Sequence, residues 1–130
     1  MLDAVICHPL RSPVGRFGGA FRSVPVDSLA STVLSALVER SGIDPHHIDD
    51  VILGQGYPSG EAPALGRIAA LDAGIGVDVP GMQLDRRCGS GLQAILTAAA
   101  HVSAGAVDVV VAGGVDSISN DEYYTNPSPR

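Results

Sequence analysis

The stretch Gln83-Leu84-Asp85-Arg86-Arg87-Cys88-Gly89-Ser90-Gly91-Leu92-Gln93-Ala94 decides the reading of this 130-residue chain. An apolar, strand-like segment ends, two arginines follow, and Cys88 opens a glycine-rich turn into a helix. Backbone N–H groups at a helix N-terminus lack intrahelical partners and carry partial positive charge. A thiolate is stabilised there, so the reactive form of a cysteine becomes more populated. Small residues on its C-terminal side leave room for another molecule to approach the sulfur, as a covalent catalyst requires. The competing reading is a small buried hydrophobe; the helix-start position and the glycine turn weigh against it.

Outward from this segment, strand and helix patterns alternate. Residues 3–7 and 50–54, a third segment near 81–85, and Val107–Ala112 read as strands. Ala30, Val33, Leu34, Leu37 and Val38 keep helical spacing, with Asp27 as expected N-cap and Gly42 as stop. Further helices are expected over 61–73, ended by Gly74, and from Cys88 to Ala104, ended by Gly105. Such alternation predicts crossover connections and an α/β fold with a mostly parallel sheet. Val107–Ala112 has an unbroken apolar core, the pattern of a strand buried on both faces. Sites in such sheets form at the carboxyl ends of strands, and Cys88 lies just past one. The helix behind it carries no charged residue apart from His101. An all-round apolar helix is usually buried all round, which predicts another layer of protein over it.

Composition excludes several classes. Fourteen acids against eight bases give a net charge of −6, so no basic stripe invites nucleic acid. The longest apolar run is too short to span a membrane, and residues 1–10 show no secretory signal. Two cysteines, Cys7 and Cys88, make no disulfide framework, and a reducing cytoplasm is the expected compartment. No CxxC or HExxH pattern supports a metal. Gly54-Gln55-Gly56 hints at a dinucleotide fingerprint, but the next glycine, Gly60, stands one residue too far. A base for Cys88 is hard to find. His101 lies thirteen residues along the same helix, roughly 20 Å away. His46 and His47 read as a solvated turn. His8 follows the first expected strand on the active edge and is the one positional candidate. Asp85 opposes a thiolate; Arg86 and Arg87 offset it, serve the structure, or face a phosphate-bearing ligand.

These residues resemble a known family. Cys88-Gly89-Ser90-Gly91-Leu92-Gln93-Ala94 is similar to the nucleophile segment of thiolases, the acetyl-CoA acetyltransferases and 3-ketoacyl-CoA thiolases. Arg11-Ser12-Pro13-Val14-Gly15-Arg16-Phe17-Gly18-Gly19 resembles the family's opening motif, and Ala112-Gly113-Gly114-Val115-Asp116-Ser117-Ile118-Ser119 resembles its Ala-Gly-Gly-x-Glu-Ser-Met-Ser. The resemblance implies a three-layer α/β/α fold, with this chain an incomplete N-terminal half: residues 1–117 an α/β domain and 118–130 the start of an inserted loop region. It implies an acyltransferase that forms an acyl-enzyme on Cys88, for Claisen condensation of acetyl-CoA or thiolysis of 3-ketoacyl-CoA. No cofactor is implied; a coenzyme A thioester is the substrate. The family's His, second Cys and oxyanion-hole Asn belong to motifs this sequence lacks. The implied partners are the remainder of the thiolase chain or a complementary subunit, in a homo-oligomer of the complete enzyme. Asp85 stands where many members carry Asn, and Asp116 where Glu is common. A non-catalytic thiolase-fold subunit and a ketosynthase-type condensing enzyme are the alternatives.

Overall fold

The computed structural model describes residues 3–125. Along the chain run α1 (Val26–Ser41), β1 (Asp50–Gly54), α2 (Leu65–Asp72), β2 (Gly81–Leu84), α3 (Ser90–Ser103) and β3 (Val110–Gly114). The strands form one sheet in the order β2-β1-β3, and both pairings are parallel. Successive side chains of a strand point to opposite faces, and β1 feeds a core on each. Val51 and Leu53 pack with Ala30 and Leu34 of α1 and Leu65 and Ala69 of α2. Ile52 packs with Ala94 and Ala98 of α3 on the other face. Helices on both faces of a parallel sheet make three layers, α/β/α, as the crossovers between parallel strands require.

Helix ends follow local chemistry. Gly42, Gly74 and Gly105 adopt positive φ of 68°, 78° and 70° just past the three helices, as the sequence predicts. The start of α1 differs from expectation. Pro25, not Asp27, is the N-cap, and no side chain caps this end. Proline's fixed φ suits that entry, and Asp27 instead stands in the first turn, where a carboxylate favours the helix dipole.

Other boundaries are corrected by the pairing itself. Residues 3–7 form no strand. A strand needs a ladder partner, and this segment has none among the described residues; Val5 and Ile6 are 79% and 77% exposed. The second helix begins at Leu65 rather than 61, after turns and a left-handed Ala64. The last strand is Val110–Gly114 rather than 107–112, because its register is set by β1 from Asp50↔Val110 to Gly54↔Gly114. The N–H groups of Asp108 and Val109 are taken by the Asp49 carboxylate, at 2.7 and 2.9 Å. β3 is half-buried rather than covered on both faces. The region expected to open an inserted loop forms one helical turn at Ile118–Asn120 and then runs without regular structure to 125; residues 126–130 lie outside the described residues. No described helix is long and apolar enough to cross a membrane.

The N-terminus of α3 sits hard against the carboxyl ends of β1 and β3, and glycines make this possible. A Cβ at Gly54 would lie 2.3 Å from the carbonyl carbon of Ser90. One at Gly114 would lie 2.9 Å from the Cα of Gly91. Gly54→Ala is therefore expected to lower unfolding stability by about 1–3 kcal/mol in urea titration, as overpacking does. Gly89→Ala, whose new Cβ would meet nothing nearer than 3.9 Å, should stay close to the parent. A second expectation concerns pH. Backbone N–H groups of Val109 and Asp108 hold the Asp49 carboxyl below its ordinary value. A depressed folded value gives stability that is present above the ordinary carboxylate range and lost as pH falls through the folded value. Asp49→Asn should lower the melting temperature at neutral pH and flatten its decline in acid.

Candidate active site

Cys88 lies in a one-turn helix, Arg87–Gly89, two residues ahead of α3 rather than as the first residue of the helix itself. The backbone reaches it through Arg87, which has a left-handed φ of 52°. A non-glycine residue there costs about 1–2 kcal/mol, so its surroundings must hold it. Asp85 Oδ1 accepts from the Arg87 N–H at 2.8 Å. Ser90 Oγ accepts from the Arg86 N–H at 2.8 Å and donates to the Arg87 carbonyl at 2.7 Å. Ser90 is 3% exposed, so these bonds are shielded from water. The turn is thus clamped from both sides of Arg87, while the Cys88 side chain is exposed. Among the described residues, the Cys88 N–H has no hydrogen-bond acceptor.

The loops after the other strands close around this turn. The Arg87 guanidinium meets Asp85 Oδ2 at 2.9 Å and donates to the Gly56 carbonyl at 2.8 Å. The ion pair is exposed and worth little by itself, but it engages the charge of Asp85, which stands three residues before Cys88. A Cβ at Gly56 would sit 3.2 Å from the Arg87 carbonyl oxygen, so Gly56 permits the close approach. Asp116 Oδ1 accepts from the N–H groups of Gly56 and Tyr57 at 3.0 and 2.9 Å. Ser119 Oγ accepts from the Gly18 N–H at 2.9 Å, bringing the glycine-rich N-terminal loop to the same edge. Partial burial, and then the charge of Asp116, push the Asp121 carboxyl above its ordinary value. Two clefts of about 120 and 250 Å³ open on the described surface, and Cys88 lines neither. Both fall short of the ~300 Å³ typical of a small-molecule pocket.

The histidines do not gather around the thiol. His46 and His47 lie in the Pro45–His47 turn that leads into β1, at the amino edge of the sheet, opposite Cys88. His101 is in the last turn of α3, again toward that edge. His8 is exposed with φ of 51° and makes no hydrogen bond to Cys88. Cys7, expected to pack inside a strand, is exposed. Arg86 bonds to Gln93 Oε1 on the first turn of α3. Asp116, Gly56 and Ser90 were not readable as parts of this site, because their roles arise from contacts across loops or within a turn whose shape the sequence does not display. Ser90→Ala should remove both hydrogen bonds of the Ser90 hydroxyl, lower stability by about 1–2 kcal/mol, and speed amide exchange at Arg86 far more than at Val111, read by exchange mass spectrometry or NMR.

Comparison with known proteins agrees with this geometry. The family model described as thiolase, N-terminal domain, matches residues 4–130. An acetyl-CoA acetyltransferase of Cupriavidus necator is 40% identical over 119 residues, which is 92% of this chain and 30% of that protein. A beta-ketoadipyl-CoA thiolase of Pseudomonas aeruginosa is 42% identical over 123 residues, 93% of this chain and 31% of that protein. The crystal structure of the Bacillus anthracis acetyl-CoA acetyltransferase superposes with a TM-score of 0.87 at 43% identity, covering 90% of this chain and 30% of that one. The chain therefore spans about 30% of the length of the relatives it matches. On a family match that runs nearly end to end, the chain belongs to the thiolase family.

Proposed function

We propose that Cys88 is the acyl-accepting nucleophile of a thiolase acyltransferase. The observation that carries this reading is an exposed thiol in a clamped turn, ahead of a helix N-terminus and at the carboxyl edge of a parallel sheet. The Cys88 thiolate attacks the carbonyl carbon of a coenzyme A thioester. The carbon–sulfur bond to coenzyme A breaks, and its thiolate leaves and takes a proton. The acyl group now rests on Cys88 as a thioester, which splits one difficult transfer into two. In the condensing direction, the enolate of acetyl-CoA attacks that carbonyl and frees the Cys88 thiolate; in the degradative direction, the Cys88 thiolate attacks the 3-keto carbon of a 3-ketoacyl-CoA, the C2–C3 bond breaks, the enolate of acetyl-CoA leaves and takes a proton, and coenzyme A then takes the acyl group from Cys88. The Cys88 N–H, which has no acceptor among the described residues, is left free to serve as a donor for the developing oxyanion.

The base and the remaining oxyanion donors come, in this reading, from further polypeptide, either the remainder of a thiolase chain or a complementary subunit. Three features favour it. His46, His47 and His101 lie toward the opposite edge of the sheet from Cys88, and His8 makes no hydrogen bond to it. Neither of the two clefts on the described surface is lined by Cys88 or large enough for a coenzyme A thioester. The outer face of α3 presents Leu92 and Leu96, 64% and 54% exposed, although it is apolar enough for burial.

Replacing the matching part of the Bacillus anthracis acetyl-CoA acetyltransferase by this chain gives a direct test. Thiolysis of acetoacetyl-CoA by coenzyme A is expected for the graft and absent for the chain alone. Cys88→Ser in the graft should reduce kcat/KM by at least ~10³-fold. A folded graft whose turnover survives Cys88→Ser would assign this chain a non-catalytic role instead.

A further inference from the structure

We infer that Asp116 is a positioning residue for the Cys88 turn, acting on Arg87 through the single peptide unit between Gly56 and Tyr57. This rests on the reading of Cys88 as nucleophile. The Tyr57 N–H and the Gly56 carbonyl belong to the same peptide group. Its N–H donates to Asp116 Oδ1 at 2.9 Å, and its carbonyl accepts from the Arg87 guanidinium at 2.8 Å. A carboxylate and a guanidinium therefore polarise one peptide dipole from its two ends, and each bond strengthens the other. The neighbouring Gly56 N–H adds a second bond to the same carboxylate, at 3.0 Å. Gly56 itself packs on the Arg87 backbone, with space for no comfortable Cβ.

The receiving end is the residue that needs holding. Arg87 carries the left-handed backbone immediately before Cys88. Its local clamps, Asp85 and Ser90, lie within the turn and fix its shape. Asp116 lies after β3, and Gly56 after β1, so their contact fixes where that turn stands relative to the sheet. Arg87 is 71% exposed on its side chain, so water screens the relay and limits it to a modest, measurable effect.

The test uses the two cysteines of the intact chain. Iodoacetamide alkylates both, and peptide mass spectrometry gives the rate at each; exposed Cys7 is the internal reference. Asp116→Asn should slow Cys88 relative to Cys7 by about three- to tenfold, since neutralising the acceptor weakens a charge-assisted bond. Asp116→Glu, which keeps the carboxylate, should recover most of that loss. Arg87→Ala should slow Cys88 similarly, and its exposed side chain makes misfolding of this variant an unneeded concern. In the Arg87→Ala background, Asp116→Asn should then have little further effect, the signature of one shared path. An unchanged Cys88-to-Cys7 ratio in Asp116→Asn overturns the inference, and so do fully additive effects of the two substitutions. Should Asp116→Asn not fold, loss of rate in Arg87→Ala without loss in Asp116→Glu supports the path, and an unaltered rate in Arg87→Ala refutes it. Acylation by acetyl-CoA is read separately in the graft. Failure there, with the alkylation pattern intact, rejects the thiolase reading and leaves the positioning role standing.

Discussion

The contact between the first turn of α3 and the carboxyl ends of β1 and β3 governs the rest of this structure. Gly54 and Gly114 bring backbone to backbone at distances that side chains would prevent. Because α3 is seated there, Ala94 and Ala98 reach Ile52 and close the second core layer. Because the chain must enter α3 at that point, the connection from β2 is forced into a short strained turn, and Cys88 is carried at its crest. Packing and chemistry share one constraint: the sheet edge that glycine opens for the helix is the edge at which the thiol is displayed.

Electrostatics then refine what packing sets. The turn has three sources of order: Asp85 on the Arg87 N–H, Ser90 between Arg86 and Arg87, and the Gly56 carbonyl on the guanidinium. Ser90 and Gly56 are buried, whereas the bond from the Arg87 N–H to Asp85 is exposed and contributes less. The exposed pair of Asp85 and Arg87 is weak in energy, yet it leaves the Asp85 carboxylate facing a cation rather than standing alone. Asp116 stands behind the same arginine at one remove. Family membership is consistent with this arrangement, since the matched region includes all of these residues.

Much of this was legible in the residues. Alternating periodicity announced the parallel sheet, Gly42, Gly74 and Gly105 marked the ends of helices, and Cys88 fell on the carboxyl edge because it follows β2. What was not legible depended on partners distant in sequence. Val5 and Ile6 have the composition of a strand, but a strand exists only where another offers its ladder, and none of the described strands does. The start of β3 moved by three residues because Asp49 captures the amides of Asp108 and Val109 before pairing begins. Asp116 stands where Glu is common in the resembling motif; its bonds to Gly56 and Tyr57 span about sixty residues of chain and leave no local trace. The helix α3 lacks acidic and basic residues apart from His101, and Leu92 and Leu96 mark the stripe of it that is open.

The proposed function requires one sulfur atom, that of Cys88, to carry the acyl group. The most direct measurement is to mix the graft with isotopically labelled acetyl-CoA, quench in acid, and locate the label by peptide mass spectrometry. The account predicts a hydroxylamine-labile acetyl thioester on the peptide containing Cys88, absent from Cys7 and lost in Cys88→Ser. Label on Cys7, or turnover by a folded graft with no acetyl group on Cys88, would contradict it.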